Sequence, residues 1–211
     1  MNYNDLSDDL QGSVLSGSQI ENQISGYKLT FISVKDKMVE WGMKFPMFVP
    51  AFYDYVFRRK LIPDQNSYWE HYLANNSSDS VLRGLTDELK LGLKARVFRT
   101  YPSLVRDIHF VTTVKESASF DNVIYNMKLD IEKGVDMLIE QGNKLFAVNL
   151  YTKTYRAQIS RVKKMKYRHT SDERFIYVEF PVEFKGSKQC GDFFLYGSKE
   201  LVQLKSLIYG S

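Results

Sequence analysis

The chain has 211 residues, of which 44% are hydrophobic and 14% aromatic, and its formal net charge is +4. This composition excludes a largely disordered protein, because it can bury one sizeable hydrophobic core. The single cysteine, Cys190, excludes an internal disulfide and a cysteine-rich zinc site; together with the lack of an apolar run of membrane-spanning length, it favours a cytoplasmic protein with no membrane partner.

The first third of the chain changes character near residue 26. Residues 1–25 are rich in Ser, Asn, Gln, Asp and Gly and contain no Lys or Arg, which predicts a mobile acidic tail. Residues 26–77 carry aromatic side chains at mixed three- and four-residue steps and predict a small helical N-terminal element. The polar run Asn75–Asp79 is the predicted boundary, and residues 78–211 form the predicted main domain.

The main domain alternates helical and strand patterns. Leucines from Leu82 to Leu93 recur at helical spacing and predict an amphipathic helix that Pro102 ends. β-branched or alternating runs predict strands at 108–114, 122–127, 174–180 and 192–196, and helical patterns occupy 154–168 and 199–208. This order predicts an α/β fold with a central mixed β-sheet flanked by helices.

The middle of this domain contains a predicted β-hairpin with polar side chains. Its first strand begins with Gly134-Val135-Asp136, its turn is Gln141-Gly142-Asn143, and its second strand covers 145–150. Pairing of the two strands would place Asn149 beside Asp136, with Tyr151 on the same strand face as Asn149. A carboxylate near a core edge is costly unless it is paired or binds a metal, so this hairpin is the candidate site.

The segment after the hairpin is strongly basic. No acidic residue occurs between Gln141 and Ser171. Such a segment favours salt-dependent binding to nucleic acid, and the alternative is a solvated basic face balanced by acids elsewhere in the fold. The basic residues are Lys153, Arg156, Arg161, Lys163, Lys164, Lys166 and Arg168.

From Val81 onward the chain resembles the PD-(D/E)xK nuclease superfamily, which has a restriction-endonuclease-like fold. Glu88 matches the helix glutamate of that family, and Asp136 matches its strand aspartate. The triplet Asn149-Leu150-Tyr151 stands where the family has Glu-x-Lys. The resemblance implies that Glu88 and Asp136 hold Mg²⁺, with Mn²⁺ as the alternative ion. It further implies that Asn149 orients a metal-bound water, and that Lys153 or Lys164 stabilises the transition state.

Three functions follow from these observations. The first is a metal-dependent DNA endonuclease, of the kind that phages and mobile elements encode. The second is a catalytically inactive nuclease-fold subunit for nucleic-acid binding or assembly, which the Asn-x-Tyr triplet favours. The third is an interaction factor whose basic segment binds an acidic protein. A homodimer is an open expectation, since enzymes that cut both DNA strands are commonly two-fold dimers.

Overall fold

The computed structural model describes residues 7–10, 15–152, 172–183 and 187–210. Its helices are α1 Gly17–Ile24, α2 Phe48–Arg59, α3 Gln65–Asn75, α4 Ser80–Arg83, α5 Asp87–Glu116, α6 Met127–Lys133 and α7 Ser198–Tyr209, with a π-helical turn at Met38–Gly42. Its strands are β1 Asn122–Ile124, β2 Met137–Gln141, β3 Lys144–Thr152, β4 Ile176–Val182, β5 Lys188–Cys190 and β6 Phe193–Leu195.

The chain folds into two compact units. The sheet unit comprises Met1–Gly17, Asp107–Gln189 and Phe194–Ser211, and the helical unit comprises Ser18–Arg106 and Cys190–Phe193. Helix α5 contributes residues to both units. The units divide within α5, between Arg106 and Asp107, whereas the predicted boundary lies at residue 78.

The sheet unit is built on a four-stranded mixed sheet in the order β1-β2-β3-β4. β1, β2 and β3 pair antiparallel, whereas β3 and β4 pair parallel. β2 and β3 form the predicted hairpin, and its turn contains Gly142 with a positive φ of 59°. β5 and β6 form a separate two-stranded sheet. The predicted α/β fold with a mixed sheet and flanking helices is confirmed.

The two faces of the four-stranded sheet are covered differently. On one face, Phe180 of β4 stacks on Phe110 of α5, with 6.1 Å between ring centroids, and both rings are buried. On the other face, Leu138, Leu145 and Ala147 form a buried cluster with residues flanking the strands. Burial on both faces explains why β3 is nearly continuous in apolar residues up to Val148.

The helical unit packs aromatic side chains from α2, α3 and α5. The buried rings of Phe52 and Tyr68 meet edge to face at 5.5 Å, and the Tyr68 hydroxyl donates to the Phe48 carbonyl at 2.8 Å. Asp64 caps α3 by accepting the amide N–H groups of Asn66 and Ser67. Aromatic packing, a hydrogen-bonded tyrosine hydroxyl and a helix cap thus stabilise this unit.

Helix α5 corrects two expectations of the sequence analysis. Pro102 lies inside α5 and does not end it, and Ile108–Val114, predicted as a strand, forms its last turns. Leu104, Ile108 and Val111 keep a helical spacing beyond the proline and are buried. Their burial outweighs the hydrogen bond that a proline removes and overrides the strand preference of β-branched residues.

The described part of residues 1–25 also differs from the predicted mobile tail. Residues 18–24 of α1 belong to the helical unit, and Ile20 and Ile24 are buried. In the sheet unit, Asp9 accepts the Met127 amide N–H at 2.8 Å, and Asp8 pairs with Lys115. The acidic side chains of this segment therefore bind specific donors, whereas the composition predicted a mobile acidic tail. The functional division of the chain stays a prediction.

Candidate active site

Asp136 lies in the short connection between α6 and β2. Helix α6 ends at Lys133 and is capped by Gly134, whose φ of 71° is the left-handed conformation that favours glycine. The Asp136 amide N–H donates to the Val148 carbonyl at 2.9 Å, and its Oδ2 accepts the Leu150 amide N–H at 2.6 Å. Residues 134–136, predicted as the start of a strand, are therefore this connection, and the aspartate is held against β3 by both backbone and side chain.

Asn149 and Glu179 lie side by side on neighbouring strands. β3 and β4 are parallel, and their register places the Cα of Asn149 opposite that of Glu179. Both side chains therefore extend from the sheet face that carries Ala147. On the β2 side of β3, the Asp136 carboxylate accepts the amide N–H of Leu150, the residue that follows Asn149. Asn149 thus has a carboxylate-bearing residue on either side, and all three polar residues are half-buried.

Glu179 is a candidate site residue that the sequence analysis missed. Its neighbours in the strand, Val178 and Phe180, are buried on the opposite face of the sheet, and its own Oε2 atom is buried. An ionised carboxylate in such surroundings is costly unless a cation or hydrogen-bond donors compensate its charge. A lone glutamate inside an apolar strand was the available signal. Its position beside Asn149 depends on the pairing of two strands that are separated in the chain.

Comparison with known families identifies the kind of protein to which this geometry belongs. The profile of the TaqI restriction endonuclease family matches residues 44–186, more than half of the chain. The chain belongs to this family. Membership confirms the predicted resemblance to PD-(D/E)xK nucleases, and the match includes Asp136, Asn149 and Glu179. No curated protein matches the chain. No solved structure matches it either.

The extent of the TaqI-family match bears on the organisation of the chain. The match begins at residue 44, well before the predicted boundary at 78. Helices α2 and α3 therefore lie within the part that the chain shares with the family. Family membership implies DNA binding. Among the described helices, none has the length and hydropathy needed to cross a membrane.

Glu88 lies in the first turn of α5, in the helical unit, and is exposed. Hydrogen bonds from its own backbone amide and from the Thr86 side chain hold the pKa of the Glu88 carboxyl below its usual value. The carboxylate is therefore ionised at neutral pH, as a metal ligand must be. Its role in metal binding stays a prediction, whereas Asp136 and Asn149 lie together in the sheet unit.

The predicted basic residues are outside the described part of the chain. They fall in the range 153–171, for which no geometry is given, so their contact with DNA and the roles of the two candidate lysines stay predictions. These residues are Lys153, Arg156, Arg161, Lys163, Lys164, Lys166 and Arg168.

The donor set around Asn149 fits the divalent metal that restriction endonucleases typically use. Within the described ranges, no group of three or more His, Cys, Asp or Glu side chains could hold a metal ion. Mg²⁺ does not require such a group, because it keeps several waters and is commonly bound by one or two carboxylates. Oxygen donors from carboxylates and one amide suit Mg²⁺ or Mn²⁺ better than softer metals.

Proposed function

We propose that this protein is a metal-dependent DNA endonuclease in which Asp136 holds Mg²⁺ or Mn²⁺. The observation that carries the proposal is the Asp136 carboxylate, fixed to the Leu150 amide of β3 in a chain of the TaqI restriction endonuclease family. A ligand fixed by the backbone loses little freedom when a metal binds, which favours binding. An origin in a phage or mobile element stays a prediction.

The residues have separate roles in this proposal. A bound metal would polarise the scissile phosphodiester and activate a water for attack. Asp136 provides a negatively charged ligand, and the Asn149 amide orients a metal ligand or a water next to it. Glu88 is the predicted second carboxylate, and Lys153 or Lys164 is the predicted cation that stabilises negative charge on the phosphate.

Cleavage assays with and without metal test this function. Purified protein is incubated with supercoiled, linear and branched DNA in Mg²⁺, in Mn²⁺, or in EDTA. We expect cut products with either metal and none in EDTA, because the proposed mechanism relies on the metal to polarise the phosphodiester and to activate the water. Equal cleavage in EDTA would contradict the proposed mechanism. The same samples, analysed by sedimentation with and without DNA, test the predicted homodimer.

A second function is an inactive DNA-binding subunit that keeps the nuclease fold. The observation that favours it is Asn149-Leu150-Tyr151, where the PD-(D/E)xK pattern has Glu-x-Lys. This alternative predicts DNA binding without metal and no cleavage under any condition. Neutralising Arg161, Lys163 and Lys164 together would then make the dependence of log affinity on log salt shallower by roughly 2.7, at about 0.9 per lost phosphate contact.

A further inference from the structure

The proposed metal site lacks one charge on its central strand. The Asn149 amide offers a neutral oxygen. Of the two predicted carboxylate ligands, only Asp136 belongs to the sheet unit. A carboxylate binds Mg²⁺ more strongly than an amide, because it brings a full negative charge to the ion. A second carboxylate beside Asn149 would restore the charge that the triplet has lost.

The strand register provides such a carboxylate at Glu179. In the parallel ladder, Phe146 to Thr152 pair in order with Ile176 to Val182, without interruption. This regular pairing fixes Glu179 opposite Asn149. Neighbouring strands are about 4.8 Å apart, so Glu179 is one strand spacing from Asn149. Asp136 approaches the same stretch of β3 from the opposite side, through its bond to Leu150.

The burial of Glu179 gives its carboxylate a reason to favour a cation. Its Oε2 atom is buried, and the residue as a whole is half-buried on the sheet face that carries Asn149. Electrostatic attraction is stronger where water is excluded, so a divalent ion near this carboxylate would be held more firmly than one at an exposed acid.

We propose that Glu179 of β4 is a metal-binding carboxylate of the sheet unit, in addition to Asp136 and the predicted Glu88, and that it takes the place of the one absent from β3 at Asn149. This inference rests on the proposed endonuclease function and deepens it. The acidic ligands would then flank the middle strand: Asp136 on the β2 side and Glu179 on the β4 side. The charge that the triplet lacks at Asn149 would then be supplied from the neighbouring strand.

Direct metal binding tests the proposal independently of cleavage. Mn²⁺ is titrated into the full chain without DNA, and bound ion is measured by electron paramagnetic resonance and by calorimetry. We expect Glu179→Gln to weaken Mn²⁺ binding by at least about tenfold, since even partners outside the ligand shell contribute about 10- to 100-fold. Circular dichroism of each variant checks that the fold is kept.

A matched control comes from the same sheet face. Glu140 is a half-buried glutamate of β2, opposite Leu145 and four residues from Asp136, which is about 13 Å along a strand. Glu140→Gln makes the same chemical change away from the site and should leave Mn²⁺ affinity unchanged. An equal loss in both variants would mean that charge anywhere on the sheet matters, and Glu179 would not be a ligand.

A rescue variant tests the replacement itself. If the carboxylate has moved from β3 to β4, returning it to β3 as Asn149→Glu in the Glu179→Gln background should recover most of the Mn²⁺ affinity. A purely structural glutamate would not be replaced in this way. Should Glu179→Gln fail to fold, Glu179→Asp keeps the charge but withdraws it by one methylene; several-fold weaker binding is expected, and unchanged binding would overturn the proposal.

The failures of the two proposals are distinguishable. If wild type binds Mn²⁺ and cleaves DNA, and Asp136→Asn loses both while Glu179→Gln keeps both, the endonuclease stands and Glu179 is not a ligand. If wild type neither binds metal nor cleaves, the endonuclease proposal falls and the role of Glu179 falls with it. Metal binding that requires Glu179 without any cleavage keeps the assignment of Glu179 and removes the activity.

Discussion

The two ends of one face of the central sheet are built from different chemistry. At one end, Leu138, Leu145 and Ala147 are almost fully buried in a hydrophobic cluster. At the other end, the same strands or their immediate flanks carry half-buried Asp136 and Asn149. The change occurs within β3, between Ala147 and Asn149.

The apolar end of this face contributes to folding stability, and the polar end, a few residues away, contains the proposed metal site. The apolar end anchors the strands, because close-packed side chains fix their neighbours. The polar residues at the other end lie on or beside the same strands, so their positions depend on that anchor. A site held to within a fraction of an ångström requires such support from rigid elements. Substitutions at the two ends should therefore have separate effects, on folding or on metal binding and cleavage.

Asp136→Asn should have the largest effect, because it removes charge from the polar end while keeping the size of the side chain. We expect cleavage in Mg²⁺ to fall by about a thousandfold or more, comparable with or beyond the loss of one group that stabilises a transition state. The substituted amide oxygen can still accept the Leu150 N–H, so the free energy of unfolding should change little. Single-turnover cleavage and urea unfolding measure the two effects.

Asp121→Asn is the matched control for that substitution. Asp121 also accepts a backbone amide, that of Gly142 at 2.6 Å, but it is exposed and lies at the turn of the hairpin. Cleavage should stay at the wild-type rate. Full activity of Asp136→Asn would show that Asp136 is not a metal ligand and that the polar end of the sheet is not needed for cleavage.

Leu138→Ala should affect the apolar end alone. Leu138 is buried in the hydrophobic cluster of the sheet, and truncating such a leucine costs about 2–5 kcal/mol of unfolding free energy. Mn²⁺ affinity measured under conditions where the protein stays folded should match wild type. Val202→Ala, at an exposed valine of α7, is the control and should change stability by less than about 0.5 kcal/mol. Loss of metal affinity in folded Leu138→Ala would show that the two ends are not separable.

The parts of the fold that the sequence predicted are those fixed by local patterns. The hairpin of β2 and β3 follows from a turn with Gly142 between apolar runs, and the last helix follows from its apolar spacing. α5 was predicted wrongly beyond Pro102, because β-branched residues and a proline indicate local preferences that burial can override. Local signals fail where tertiary packing decides.

The candidate site shows the same limit. Asp136 and Asn149 could be predicted as neighbours because a short hairpin joins them. Glu179 could not be placed beside them, because the parallel pairing of β3 and β4 joins strands that are separated by more than twenty residues and has no turn to set its register. In a mixed sheet, the sequence alone therefore does not show which acidic residues lie on the same face.

Glu88→Gln should have a smaller effect on cleavage than Asp136→Asn. Glu88 is exposed in the first turn of α5, so water competes for its carboxylate and its contribution to metal affinity should be smaller than that of a half-buried acid. We expect cleavage to fall by about tenfold at limiting Mg²⁺ and to recover at high Mg²⁺, because a weakened ligand set is refilled by mass action. Asp87→Asn, the adjacent exposed acid, should leave the Mg²⁺ dependence unchanged. An identical Mg²⁺ dependence for Glu88→Gln and wild type would exclude Glu88 from the metal ligands and leave the metal to the polar end of the sheet.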